Sequence, residues 1–276
     1  MLTIRQADAS GKLLMRIAAA LALSAAISGC AGKQLTTGSI SRDAGKPIEQ
    51  MSAQQLHSAA SSLGQAYAKK PNNKQIGLRF AAVLQMNGNN EQSLAVMRRL
   101  AISHPKDREV LAAYGKALAA EGQFEPALDA VRRAQTPEFP DWKLISAEGA
   151  ILDQLGKRDE ARANYRRALE LKPGEASVMS NLAMSYVLEG DLKSAEAQLR
   201  KAIQSPGADS RVRQNLALVV GLQGRFDEAE KIARAELSPD QAQANVSYLR
   251  SMLAQQNAWS QLSKEDKDKR EARNTN

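Results

Sequence analysis

Five glycines recur in this chain at a constant interval of 34 residues, and this spacing limits the possible folds more than any other feature of the sequence. They are Gly88, Gly122, Gly156, Gly190 and Gly224. A fixed period of this length is typical of solenoids, in which each repeat buries its apolar face only against its neighbours. The sequence therefore predicts a stack of similar units between residues 74 and 243.

The other positions of the repeat favour two helices in each unit. Small residues recur where helices would approach closely, and Asn, Asp or Glu precedes each first helix as an N-cap. In the blocks 74–107, 108–141, 142–175, 176–209 and 210–243 the small residues are Ala81, Gly115, Gly149, Ala183 and Ala217 in the first helices and Ser93, Ala127, Ala161, Ala195 and Ala229 in the second, and the N-caps are Asn73, Asp107, Asp141, Glu175 and Asp209. A composition rich in Ala, Leu, Gln, Glu, Lys and Arg also favours helix, so we expect an all-α fold.

This pattern resembles the tetratricopeptide repeat. The shared features are the small residue in the first helix, the glycine at the turn, the alanines in the second helix and a late proline such as Pro105 or Pro173. The resemblance covers five whole repeats and implies a solenoid, a right-handed superhelix of helix pairs, over residues 51–260. Because terminal units of a solenoid are atypical, we expect capping helices at 52–70 and 240–256.

The first thirty residues have the order of a bacterial lipoprotein signal. Basic residues precede an uncharged run from Ile17 to Ile27, which is too short to span a bilayer as a helix. The segment Ile27-Ser28-Gly29-Cys30 resembles a lipobox. We expect a signal peptide over residues 1–29 and a lipidated Cys30. The alternative is that Cys30 closes an ordinary secretory signal as an incidental small residue.

The expected anchor has consequences for location and for both ends of the chain. Cys30 is the only cysteine, and several acyl chains on it would give stable attachment to a membrane. Ala31 follows it where Asp would resemble an inner-membrane retention signal, so we expect the periplasmic face of the outer membrane. Translation from Met1 or from Met15 would give the same mature chain. Residues 30–50 are expected to form a flexible tether and residues 261–276 a charged, disordered tail.

The sequence contains no pattern typical of an enzyme. The only histidines are His57 and His104, and no acidic or cysteine partners stand at metal-ligand spacing around them. Phosphate-binding loops, nucleophile elbows and zinc-protease motifs are absent. We therefore expect no catalysis, no metal and no cofactor. The formal net charge is +8, but a secreted chain is not expected to bind nucleic acid.

The resemblance implies that the partner is a protein segment bound in a groove lined by first helices. In the last two repeats, apolar side chains alternate there with amides that can pair with a peptide backbone. The predicted lining is Asn181, Met184, Val187, Leu188, Arg211, Asn215, Leu218 and Leu222. The alternative interpretation is that the apolar members pack under the closing helix.

Basic residues recur with the same period on the second helices. They are Arg98, Arg99, Arg132, Arg133, Arg166, Arg167, Arg200, Lys201 and Arg234. This basic ladder has two interpretations. It could contact anionic lipid headgroups, peptidoglycan or an acidic partner. It could also complement the helix dipoles and solubilise the convex face.

Two segments near the C-terminus resemble a particular group within the repeat proteins. Residues 214–226 (Gln-Asn-Leu-Ala-Leu-Val-Val-Gly-Leu-Gln-Gly-Arg-Phe) and residues 245–250 (Asn-Val-Ser-Tyr-Leu-Arg), with the lipobox and the repeats, resemble the TadD-type lipoproteins of tight-adherence (Flp) pilus assembly. The resemblance implies a pilotin-like scaffold, with the pilus secretin and other Tad assembly components as partners. The second hypothesis is a general periplasmic adaptor for cell-wall enzymes or other envelope complexes.

Overall fold

A computed structural model describes residues 47–138 and 140–274, with side chains up to residue 256. Twelve α-helices make up most of this part of the chain, and a short 3₁₀ turn at Ile48–Gln50 precedes them. The helices are α1 (Ala53–Lys69), α2 (Lys74–Met86), α3 (Asn90–Ser103), α4 (Arg108–Ala120), α5 (Phe124–Ala134), α6 (Trp142–Gln154), α7 (Arg158–Leu171), α8 (Ala176–Glu189), α9 (Leu192–Ala202), α10 (Ser210–Leu222), α11 (Phe226–Ala233) and α12 (Pro239–Asn274). The signal peptide, Cys30 and the tether up to residue 46 lie outside the described residues.

The described helices form two compact units, one of residues 47–171 with α1 to α7 and one of residues 172–274 with α8 to α12. Within each unit a helix packs mainly against the next helix along the chain. Nearest-neighbour packing of this kind defines a solenoid. The predicted all-α fold of tetratricopeptide-repeat helix pairs is confirmed.

The periodic glycines turn the chain between the two helices of each repeat. Their φ angles are 77° at Gly88, 71° at Gly122, 76° at Gly156, 89° at Gly190 and 81° at Gly224. A Cβ added at any of them would meet no atom within 4 Å, so the requirement is conformational and not steric. Left-handed backbone is costly for residues with a side chain, which explains why glycine stands at each turn.

The small residues of the first helices, by contrast, are needed for space. A Cβ on Gly115 would lie 2.6 Å from Cγ2 of Val131, and one on Gly149 would lie 2.8 Å from Cε1 of Tyr165. Ala195, in a second helix, has no exposed surface. The two helices of a repeat therefore approach each other at the positions that the repeat pattern indicates.

Four of the five predicted N-caps have the expected geometry. The side chains of Asn73, Asp107, Asp141 and Asp209 accept hydrogen bonds from backbone N–H groups in the first turns of α2, α4, α6 and α10. Glu175 occupies the N-cap position of α8 without such a bond, and its Oε1 accepts instead from Oγ of Ser177 at 2.8 Å. Glutamate is not among the favoured N-cap residues, because its side chain is longer than those of Asp and Asn.

Both capping helices are present, and the last is longer than the sequence predicts. Ser52 with Gln55 at the start of α1, and Ser238 with Gln241 at the start of α12, exchange reciprocal side-chain to backbone bonds. The expected end near residue 256 and the disordered tail do not match the structure, in which α12 continues to Asn274. The tail is rich in Lys, Glu and Arg, which form helices readily, and neither Pro nor Gly follows Pro239. Among the described helices, none is long and apolar enough to cross a membrane.

Candidate protein-binding groove

The predicted groove residues lie on α8 and α10, the first helices of the last two repeats. These helices contact each other within the unit of residues 172–274. The side chain of Asn215 on α10 joins them, since its Nδ2 donates to Oγ of Ser180 on α8 at 2.9 Å. Ser180 itself is only 5% exposed, so the bond is shielded from solvent on the side of α8.

The structure corrects the predicted lining at two positions. Met184 and Val187 are 7% and 3% exposed, so they belong to the core and offer no surface to a partner. The reason is that α8 is packed on most of its circumference, and nine of its fourteen residues are buried. Only a narrow stripe that includes Ser177, Asn181 and Leu188 keeps partial exposure on this side of the helix. The remaining predicted residues are half-buried: Asn181, Leu188, Arg211, Asn215, Leu218 and Leu222.

The closing helix covers a different side of α10 from the one that carries the groove leucines. Ala242 of α12 packs with Ala217 and Ala233, and a Cβ on Gly221 would lie 2.5 Å from Cδ2 of Leu249. Leu218 and Leu222 follow Ala217 and Gly221 by one residue, which turns them about 100° around the helix. The two leucines therefore stay half-buried although α12 is in place.

The side chain of Arg211 is held by Asp209, the N-cap residue of α10. Its Nε and Nη2 donate to Oδ2 of Asp209 at 2.9 and 2.8 Å. Burial raises the pKa of Asp209, but the bonds from Arg211 and from the backbone N–H of Val212 outweigh that effect, and the pKa lies below its ordinary value. Asp209 is thus ionised at neutral pH, and the pair fixes the start of α10.

Several members of the basic ladder are paired within the solenoid. Arg132 Nε lies 2.8 Å from Oε1 of Glu148, and Arg133 Nη1 lies 3.4 Å from Oδ2 of Asp129. Arg234 pairs with Glu230 at 2.5 Å. For these residues the structure supports the interpretation that the cations stabilise and solubilise the second helices. Surface pairs of this kind are each worth at most about 1 kcal/mol.

Four charged residues form a closed network on the surface of α9 and at the start of α11, where Arg225 is the N-cap, and we call this network the charge quartet. Arg200 Nη2 lies 2.7 Å from Glu196 and 2.6 Å from Glu228, and Arg225 contacts the same two carboxylates. Burial raises the pKa of Glu196, yet hydrogen bonds from Gln223, Arg200 and Arg225 bring it below the ordinary value. The pKa of Glu228 is lowered by hydrogen bonds from Arg200 and Arg225.

The described residues contain no set of three or more His, Cys, Asp or Glu side chains placed to hold a metal ion. His57 is exposed, and Nε2 of His104 lies 3.0 Å from the carbonyl oxygen of Asn72. The buried hydroxyl of Tyr165 donates to Oδ2 of Asp153 at 3.0 Å, and burial raises the pKa of Tyr165 well above its ordinary value. This pair joins α7 to α6 inside a repeat.

Comparison with known proteins identifies the type of repeat in two segments of the chain. Residues 50–117 and 147–210 match two tetratricopeptide-repeat families. No curated protein matches the sequence. The fold and these two partial matches thus define a solenoid that contains repeats of the tetratricopeptide type. Stacked repeats of this kind form extended concave surfaces that are used for binding.

Three solved structures illustrate the likeness. A tetratricopeptide repeat protein from Parabacteroides merdae ATCC 43184 is 15% identical with a TM-score of 0.63, over 71% of this chain and 78% of that one. PilW, described as a widely conserved type IV pilus biogenesis factor, is 17% identical with a TM-score of 0.58, over 90% and 100%. PilF of Pseudomonas aeruginosa is 19% identical with a TM-score of 0.51, over 70% and 90%. At these identities the likeness concerns the fold alone.

Proposed function

We propose that this chain is a lipoprotein, anchored by Cys30 at the periplasmic face of the outer membrane, that binds a protein partner along α8 and α10 during assembly of a tight-adherence pilus. Its role would be pilotin-like, with the secretin as the partner. Support comes from the resemblance of residues 214–226 and 245–250 to TadD-type lipoproteins. Two of the solved structures of similar fold, PilW and PilF, carry pilus-related names, and this agrees with the proposal.

One observation carries the choice of site. Leu188, Leu218 and Leu222 are half-buried on two neighbouring first helices that also carry Asn181 and Asn215. Burial of apolar surface contributes roughly 25 cal/mol per Å² to binding, before the cost of association. An amide has both donor and acceptor atoms, so it can pair with a peptide backbone that presents both. In the proposal, the leucines supply apolar burial and the asparagines pair with the main chain of the partner.

Binding is tested with pull-downs from envelope extracts. We expect the chain to recover the secretin, and a variant with Asn181→Ala and Asn215→Ala to bind it more weakly by about 0.5–1.5 kcal/mol for each hydrogen bond lost. Leu218→Ser should weaken binding further. The matched control is Arg132→Ala with Arg133→Ala on the second helices. If only the arginine variant lost binding, the site would lie on the ladder. Recovery of cell-wall enzymes without the secretin would favour a general adaptor.

Anchoring is tested separately by labelling cells with a palmitate analogue. Cys30→Ala should abolish the label, because the chain has no second thiol that could accept a lipid. Ser28→Ala, which keeps a small residue before the cysteine, should retain it. Label that persisted undiminished in Cys30→Ala would contradict the proposed anchor.

A further inference from the structure

The turns that join each second helix to the next first helix lie along one edge of the unit of residues 47–171. Hydrogen bonds connect adjacent repeats there, and two of them come from arginines of the basic ladder. Nε of Arg99 donates to Oδ1 of Asn72 at 3.2 Å, and Nη2 of Arg133 donates to the carbonyl oxygen of Pro105 at 3.1 Å. We call this surface the turn edge. It consists of residues 69–74, 98–109, 132–138 and 166–171.

Exposed charges on the turn edge are mostly positive. The exposed cations are Lys69, Lys70, Arg98, Arg99, Lys106, Arg132, Arg133, Arg166 and Arg167, against the exposed carboxylates Glu109, Glu138 and Glu170. Arg132 and Arg133 are paired with Glu148 and Asp129, so the proposal does not depend on them. The opposite edge, where second helices begin, exposes Glu91, Glu121, Glu125, Asp159 and Glu160 against the single exposed cation Lys157 among the described residues of its turns. The unit therefore has a basic edge and an acidic edge. A basic surface attracts anionic partners and orients them before contact.

Two aliphatic side chains stand exposed among these cations. Ile102 is 76% exposed near the end of α3, and Leu171 is 42% exposed at the end of α7. Both helices end at the turn edge. Aliphatic groups surrounded by Lys and Arg are typical of surfaces that enter the headgroup layer of a membrane, where apolar burial adds to electrostatic attraction.

We infer that the turn edge of residues 47–171 binds an anionic phospholipid surface. Arg98, Lys106 and Arg167 contact headgroups, while Ile102 and Leu171 enter the interface. A fluid bilayer suits this edge because long cationic side chains spread over several repeats need no partner of fixed shape. The inference rests on the proposed membrane location, since an anchor at Cys30 keeps Pro47 within about 60 Å of the bilayer even when the intervening chain is fully extended.

The test measures sedimentation of the full chain carrying Cys30→Ser with lipid vesicles, so that no acyl chain contributes. We expect binding to phosphatidylcholine vesicles that contain phosphatidylglycerol, much weaker binding to phosphatidylcholine alone, and a steep loss between about 0.05 M and 0.3 M salt. A variant with Arg98→Glu, Lys106→Glu and Arg167→Glu should bind the anionic vesicles at least about 100-fold more weakly, since each cation near such a surface contributes about fivefold.

Matched variants separate the turn edge from net charge. A variant with Lys157→Glu, Lys193→Glu and Lys231→Glu changes the net charge equally and should bind like the parent. Arg98→Lys with Arg167→Lys should also keep binding, because it retains the positive charge that contacts the headgroups. Ile102→Ser with Leu171→Ser should lower binding but preserve its salt dependence.

Three results would overturn the inference. The first is equal weakening by the two Glu variants, and the second is equal binding to both kinds of vesicle. The third is retention on immobilised polyglutamate without binding to vesicles, which would point to an acidic protein. The vesicles contain no protein, and the tested chain lacks Cys30. A negative result therefore does not contradict the proposed groove or the proposed lipid anchor. Conversely, failure of either of those proposals does not change the result of the vesicle test.

Discussion

At the scale of single residues, the repeat is defined by where side chains are small. Ala195 has no exposed surface, and Gly149 faces the ring of Tyr165 in the neighbouring helix. These positions could be predicted from the sequence, because close approach of two helices excludes large side chains whatever the rest of the fold. Spacing alone was enough to find them.

Ala195→Leu should destabilise the fourth repeat by about 1–3 kcal/mol, since a larger side chain at a fully packed site forces its neighbours apart. Denaturant unfolding of the purified protein measures the change. Ala197→Leu places the same side chain at an exposed position of the same helix and should alter the midpoint little. Equal midpoints for both variants would mean that α9 faces its neighbours differently.

The exposure of the predicted groove residues could not be predicted from the sequence. Asn181, Leu188 and Leu222 keep accessible surface, whereas Met184 and Val187 do not, although all five lie at expected groove positions. Exposure within a groove depends on how far neighbouring repeats close over it. That distance is a property of several helices together, so the local pattern of one helix cannot provide it.

At the scale of helices, the charge quartet links the second helices α9 and α11 through ion pairs between their side chains and Arg225. Glu196 and Glu228 have lowered pKa values, so their ionised forms interact more favourably in the folded chain than in the unfolded chain. Such carboxylates contribute stability at pH values above their unfolded pKa. The contribution is lost as the pH falls through the folded pKa.

Glu228→Gln should therefore destabilise the protein at pH 7 and have progressively less effect below about pH 4.3, the usual value for glutamate. Unfolding free energies measured by denaturant titration across this range provide the check. Asp227→Asn, at the neighbouring exposed position, is the control and should show a smaller loss at pH 7. If the effect of Glu228→Gln were constant with pH, the quartet would not couple protonation to folding.

At the scale of the whole molecule, each helix is stabilised mainly by its contacts with neighbouring helices along the chain. Leu249 of α12 is 7% exposed and packs on Gly221 of α10, so the closing helix covers the last repeat. In a solenoid, loss of a contact at the end of the array destabilises the adjoining repeats first.

Leu249→Ala should accelerate amide exchange in α10, α11 and the first part of α12 while leaving α2 to α5 protected. The local cost is about 2–5 kcal/mol, as for other buried leucines. Hydrogen exchange followed by mass spectrometry resolves the segments. Tyr248→Ala, at a side chain that is 72% exposed, serves as the control. A uniform rise in exchange throughout the chain would show that the described helices unfold as one cooperative block.

The unbroken course of α12 also bears on how many hairpins the chain can make. The series that ends at Gly224 would place its next member at position 258, which is occupied by alanine. Alanine favours helix over glycine by about 1 kcal/mol, so the chain does not reverse there and runs on to Asn274. The number of helix hairpins in the array thus follows the number of periodic glycines. Where the sixth glycine would stand, alanine lies within one continuous helix.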